Sequence, residues 1–191
     1  MTEIKLGFAL CGSFCNFENA IAELEKLRES GDYTLFPIFS NNAYETDTRF
    51  GKAADFVGKV EAICGRRAIH TIAGAEPLGP KRMIDALLIL PVTGSTLAKL
   101  ALGITDTPVA MAAKSSLRAQ IPVILGIATN DALAASAQNI GRLLNTRQIY
   151  FIPFSQDAPA EKPRSAVCRF EKTRETLKEA LAGRQIQPIL F

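Results

Sequence analysis

Four short polar patches hold the residues whose types could do chemistry. They are Gly12-Ser13, Ser40-Asn41-Asn42, Thr93-Gly94-Ser95-Thr96 and Ala128-Thr129-Asn130-Asp131. Hydroxyls on Ser13, Ser40, Ser95 and Thr96 can donate hydrogen bonds to phosphate oxygens, and Gly12 lets backbone approach a ligand closely. Each patch follows an apolar run, so each falls where a buried strand would end. The third is the most informative. Between Asp85 and Asp106 an apolar run meets Pro91, the patch follows, and an apolar helical pattern then begins. The first N–H groups of a helix lack internal partners and carry partial positive charge, so a phosphate or carboxylate fits there. Capping explains any one patch, because Ser, Thr and Asn are favoured at N-caps whatever the function. It is the conjunction of four that points to an anionic ligand.

Other chemistries find less support. The single histidine, His70, has no G-x-S-x-G segment before it and reads as a connector residue. Cys11 and Cys15 have no second pair or nearby His to complete a zinc site, so no metal is expected. Cys15 falls just past a strand end, where a reactive thiol is one reading and a buried structural cysteine the other. Lys114 and Arg118 stand near an expected strand end and are candidates for holding an anionic substrate. Neither G-x-G-x-x-G nor G-x-x-x-x-G-K-[ST] occurs, so a conventional NAD or ATP site is unsupported. A mononucleotide such as FMN is compatible.

The elements that must position these residues alternate. Strands are expected at 4–10, 35–39, 86–90, 121–126 and 149–152, with a short strand or connector at 68–73. Helices are expected at 19–30, 49–64, 97–102, 132–144 (capped by Asn130 or Asp131) and 173–181. Residues 109–113 read as part of a further buried segment, and 155–165 as a long surface loop of the kind that often forms a lid or an interface arm. The strands are continuous apolar runs, which argues for a parallel sheet covered on both faces. The expected fold is α/β, a three-layer Rossmann-like (flavodoxin-like) open sheet with helices on both faces. Ligands in such sheets bind beyond the carboxyl ends of the strands, where all four patches would converge.

Size and composition set bounds. The 191 residues fit one domain spanning 1–191 with a sizeable core. A net charge of +3 is too small to argue for nucleic acid, and no apolar run is long enough to span a membrane. The first residues read as a strand, not a secretion signal, so the four cysteines are expected reduced in the cytoplasm.

Three motifs carry a family resemblance. Residues 88–106 (L-I-L-P-V-T-G-S-T-L-A-K-L-A-L-G-I-T-D), A-T-N-D at 128–131 and C-G-S at 11–13 resemble the flavoprotein family of homo-oligomeric FMN-containing cysteine decarboxylases. Residues 48–51, 75–81, 106–114, 122–133 and 151–157 and the closing Q-P-I-L resemble one branch of it, the B subunits of dipicolinate synthases. The likeness covers nearly the whole chain.

The resemblance implies FMN at the strand ends and assembly as trimers or multiples. It assigns Gly12 and Ser13 to a phosphate turn and Ser40 to a hydroxyl after the second strand. Thr93, Gly94, Ser95 and Thr96 would grip the phosphate and ribityl chain, and Ala128 and Asn130 match the last motif. It further implies a cytoplasmic protein in the mother cell of a spore-forming bacterium. The partner would be the A subunit of the same synthase, carrying NAD(P), and the substrate a small dicarboxylate of the lysine pathway converted to dipicolinate. The decarboxylases' His and C-terminal clamp have no counterpart here, and Cys168 stands in an unlike context, S-A-V-C-R-F, so no catalytic residue is assigned. Two alternatives stay open: a non-catalytic structural or regulatory subunit with a vestigial pocket, and an FMN-dependent decarboxylase.

Overall fold

The computed structural model describes residues 3–191. Its strands are β1 (Ile4–Leu10), β2 (Tyr33–Phe39), β3 (Ala86–Val92), β4 (Val123–Thr129), β5 (Ile149–Phe151), β6 (Phe154–Gln156) and β7 (Ala166–Cys168). Its α-helices are α1 (Phe17–Glu29), α2 (Asn41–Glu45), α3 (Ala53–Cys64), α4 (Ile72–Ala75), α5 (Gly94–Leu102), α6 (Pro108–Arg118), α7 (Ala137–Leu144) and α8 (Thr173–Leu181).

Five strands run parallel in the order β2-β1-β3-β4-β5. This is the doubly wound flavodoxin-like order. All seven residues of β3 are buried, which is why the segment shows no polar alternation. Each buried Leu or Ile there contributes roughly 1.5–3 kcal/mol of apolar burial. The core joins Leu6, Phe8 and Leu10 of β1 to Leu24 of α1, Ile124 of β4 and Leu177 of α8. The chain turns outward to β2 after β1 and crosses back to β3, so a crevice opens between the carboxyl ends of β1 and β3.

The sheet is not wholly parallel. β7 runs antiparallel to both β4 and β6. The outer edge of β4 is therefore shared: β5 pairs with Val123–Leu125, and β7 with Ala128 and Thr129. The stretch read as a loop from Ser155 thus begins in a strand, and three-residue strands are too short to show a period. The Thr129–Ala166 pairing fixes the return of the β6–β7 loop beside the carboxyl end of β4.

Other boundaries also move. The helix expected from residue 49 begins at Ala53, because Thr48 and Gly51 close a two-residue hairpin first. Gly51 has φ +147, which no helix allows. Residues 109–113 lie inside α6. Ile69 bridges Ile38, and α4 follows it. The helix expected from Ala132 begins at Ala137, and neither Asn130 nor Asp131 caps it. Asp131 instead holds a turn, its backbone oxygen accepting from the N–H groups of Ala134 and Ser136.

Candidate functional site

A cavity of about 670 Å³ opens at the carboxyl ends of β1, β3 and β4. That size lies within the range of small-molecule sites, roughly 300–1,000 Å³. Gly12, Ser13, Thr93, Ala128 and Asn130 line it, together with Cys15, Arg49, Phe50, Asp157 and Lys162. A larger cavity of about 1090 Å³ lies at the opposite end of the sheet, lined by the starts of β1 and β2 and by α8. It gathers none of the four polar patches and lies away from the carboxyl ends where such sheets bind ligands.

The turn after β1 supplies the donors. Ser13 N–H donates to the Cys11 carbonyl at 2.7 Å, and Asn16 N–H to the Ser13 carbonyl at 3.0 Å. Among the described residues, the N–H groups of Gly12, Phe14 and Cys15 find no protein acceptor. A short 3₁₀ turn (Phe14–Asn16) leads into α1, whose first residue has no side-chain cap. Asn16 Nδ2 donates to Ser13 Oγ at 3.1 Å and so holds this turn closed. Free amides at a helix start suit an anion, because they present partial positive charge without needing a proton.

The turn after β3 is tied inward. Thr93 Oγ1 caps α5 by accepting from Thr96 N–H at 3.3 Å. The Thr93 hydroxyl donates to Thr96 Oγ1 at 3.1 Å, and the Thr96 hydroxyl donates to Cys11 Sγ at 3.4 Å. Thr96 is therefore buried and committed to the core, not to the cavity. Burial pushes the Cys11 thiol up to about 11, against which the Thr96 hydrogen bond acts only in part. Cys11 stays protonated near neutrality and serves as packing. Ser40 is buried too, its Oγ capping α2 by accepting from Ala43 N–H at 3.3 Å. Ser95 is exposed in the first turn of α5, outside the cavity lining.

Gly94 has a steric reason. A Cβ there would stand 2.7 Å from Asp131 Oδ1 and 2.7 Å from Ser136 Oγ. Both Thr129 and Ser136 donate hydroxyls to that oxygen, at 2.6 and 2.9 Å. The chain thus brings its own carboxylate against the first residue of α5. Sequence reasoning gave that position to an external anion.

Across the cavity, the β6–β7 loop closes on β4. The buried Ser165 hydroxyl lies 2.5 Å from Asp157 Oδ1, 3.3 Å from the Thr129 carbonyl and 3.3 Å from Asn130 Oδ1. Lys162 Nζ stands 3.5 Å from Asp157 Oδ2. Sequence reasoning missed Asp157, Lys162, Arg49 and Phe50. The T-R-F-G motif at 48–51 marks a turn but not what it faces, and the return of β7 that brings Asp157 and Lys162 here has no signal in the sequence.

Lys114 and Arg118 are not brought to this cavity. Lys114 lines a separate depression of about 180 Å³ beside α5. Arg118 ends α6, pairs with Glu76 at 3.8 Å and leads within five residues into the start of β4. That is the opposite end of the sheet from the polar patches. Among the described residues no group of acids, cysteines and histidine is placed to hold a metal ion, and no helix is long and apolar enough to cross a membrane.

Comparisons with known proteins place the geometry in context. A sequence profile described as Flavoprotein matches residues 2–179. The B subunit of dipicolinate synthase from Bacillus subtilis (strain 168) is 45% identical over 186 residues, covering 97% of this chain and 92% of that protein. The crystal structure of the B subunit of dipicolinate synthase from Bacillus halodurans C superposes with a TM-score of 0.89 at 41% identity, covering 98% of this chain and 96% of that one. Burkholderia xenovorans DmrB, solved in complex with FMN and described as a cubic protein cage for redox transfer, shares the fold. Its TM-score is 0.67 at 20% identity, covering 94% of this chain and 96% of that one.

Proposed function

This chain belongs to the flavoprotein family, and on that premise we propose that it is the FMN-holding subunit of a dipicolinate-forming oxidoreductase. The observation that carries the reading is the cavity at the carboxyl ends of β1, β3 and β4, with three unpartnered amides on its Gly12–Cys15 rim. Those amides, with Ser13 and the α1 start, suit the phosphate of a mononucleotide. Thr93, Ala128 and Asn130 form the facing wall and would flank the ribityl chain and ring. The 45% identity to the Bacillus subtilis protein supports the assignment to dipicolinate formation.

Further parts of the reading follow from kinship. The partner is the synthase's A subunit, carrying NAD(P), the substrate a small dicarboxylate from the lysine pathway, and the setting the mother cell during sporulation. The chain acts as one domain, in a homo-oligomer built as a trimer or a multiple of one. When bound, FMN would supply the two-electron redox chemistry. The protein's part is to hold it, exclude water and orient the substrate.

One observation favours a second reading, in which the chain organises its partner without doing chemistry. Asp157 is the only carboxylate lining the cavity among the described residues, and both its oxygens are engaged, by Ser165 and Lys162. No free carboxylate and no imidazole remains on the wall. The two readings separate in the complex of both subunits. If FMN must be present for product formation, and Asn130→Ala lowers the rate at least tenfold while the complex still forms, the redox reading holds. An undiminished rate in FMN-free complex would leave only the organising role.

A further inference from the structure

The T-R-F-G segment is a built device, not an incidental turn. Thr48 N–H donates to the Gly51 carbonyl at 3.0 Å, and Gly51 N–H to the Thr48 carbonyl at 3.1 Å. Phe50 N–H donates to Thr48 Oγ1 at 3.2 Å. Asp47 Oδ1 accepts from Ala53 N–H at 2.8 Å and fixes the exit into α3. Gly51 has φ +147, and a Cβ there would stand 2.8 Å from the Phe56 ring. The tip is therefore held rigid by its own backbone.

What the tip displays is unusual for a surface turn. Arg49 and Phe50 are its two central residues, both exposed and both lining the cavity. Phe50 leaves 44% of its surface in water, with the Arg49 guanidinium 4.9 Å from its ring centre. Arg49 forms no ion pair among the described residues, whereas Lys162, the other lining cation, is paired with Asp157. A guanidinium fork matches a carboxylate bidentately, and an aromatic face accepts a planar ring.

We propose that the Arg49–Phe50 tip is the substrate-reading arm of the cavity, taking a flat ring that bears a carboxylate. The guanidinium grips the carboxylate and the Phe50 ring covers the substrate ring. The proposal rests on reading the cavity as the site of a flavin and a small dicarboxylate. It moves the substrate's cation from α6 to the β2–α3 connection.

The test is calorimetric titration of the full chain, supplied with FMN, using pyridine-2,6-dicarboxylate as the probe. Arg49→Gln is expected to weaken the probe at least tenfold, Arg49→Lys by less, and Phe50→Leu several-fold, with FMN affinity within twofold of the parent. Both residues are exposed, so the thermal midpoint should not move, and this checks that each variant folds. A probe affinity in Arg49→Gln equal to the parent's overturns the proposal. So does a loss that falls equally on FMN, or a parent chain that binds no probe. If FMN fails to bind but the probe still depends on Arg49, the arm stands and the flavin reading falls.

Discussion

Asp131 Oδ1 and Gly94 are pressed together: a side chain of one carbon on Gly94 would stand 2.7 Å from that oxygen. The contact joins the turn after β4 to the start of α5 and sets the spacing of two cavity walls. It also explains why the turn after β3 carries Gly where a stronger helix former would otherwise serve.

Gly94→Ala should therefore destabilise, even though Ala is intrinsically better in a helix. Overpacking of this kind costs about 1–3 kcal/mol. The urea midpoint should fall, and FMN affinity should fall with it as the walls part. A variant as stable as the parent would show that the Asp131 turn yields freely.

Thiol accessibility should divide the cysteines sharply. Cys15 is exposed at the cavity rim, and Cys11, Cys64 and Cys168 are buried. A thiol reagent at neutral pH should label one site per chain rapidly and the other three only on unfolding. Added FMN should slow the rapid phase. Mass spectrometry of the labelled peptides reads both results, and rapid labelling of Cys11 would contradict the geometry.

Alkaline pH should weaken the fold through the buried thiols. Burial raises Cys11 to about 11 and Cys64 to about 12, and it raises Cys168 as well. Below the ordinary thiol value of 9.0 both folded and unfolded chains hold these protons, and the stabilisation is fully present. Above it the unfolded chain releases them first, so unfolding becomes easier as pH rises towards the folded values. The slope is roughly 1.4 kcal/mol per pH unit for each thiol. Urea midpoints from pH 8 to 10.5 should fall less steeply in Cys64→Ala than in the parent. Identical slopes would show that Cys64 ionises as freely when folded as when unfolded.

Ser165 should act as the clasp of the β6–β7 loop. Ser165→Ala removes the hydroxyl that donates to Asp157 Oδ1 and that stands 3.3 Å from both the Thr129 carbonyl and Asn130 Oδ1. Hydrogen bonds to charged groups are worth roughly 1.5–3 kcal/mol, enough to raise the open population at least tenfold. Trypsin cleavage after Arg164 should quicken accordingly while the global midpoint moves little. An unchanged rate would mean that strand pairing alone holds the loop.

How much of this was legible in the sequence differed by element. β1, β3 and β4 were legible because a strand buried on both faces must be a continuous apolar run, as in Ala86–Val92. Gly12, Ser13, Thr93 and Asn130 follow those strands, Ala128 lies at the carboxyl end of β4 itself, and the parallel sheet brings them to one cavity. β6 and β7 were not legible, since three residues carry no period and their pairing with β4 is non-local. Arg49 and Phe50 stayed hidden for a related reason, because a turn's sequence does not tell what stands opposite it. Lys114 and Arg118 went the other way: their place on α6 left open which end of the sheet they face. Thr96 and Ser40 had the right chemistry, but their hydroxyls proved committed to Cys11 and to the α2 cap.

FMN titration of the purified chain, followed by quenching of flavin fluorescence, tests the central claim most directly. The account predicts saturation at one FMN per chain. It also predicts at least tenfold weaker binding, a loss of about 1.4 kcal/mol, in Gly12→Val, which crowds the rim of free amides. The fold of that variant can be checked by its thermal midpoint. No quenching with the parent chain, or equal affinity in Gly12→Val, would contradict it.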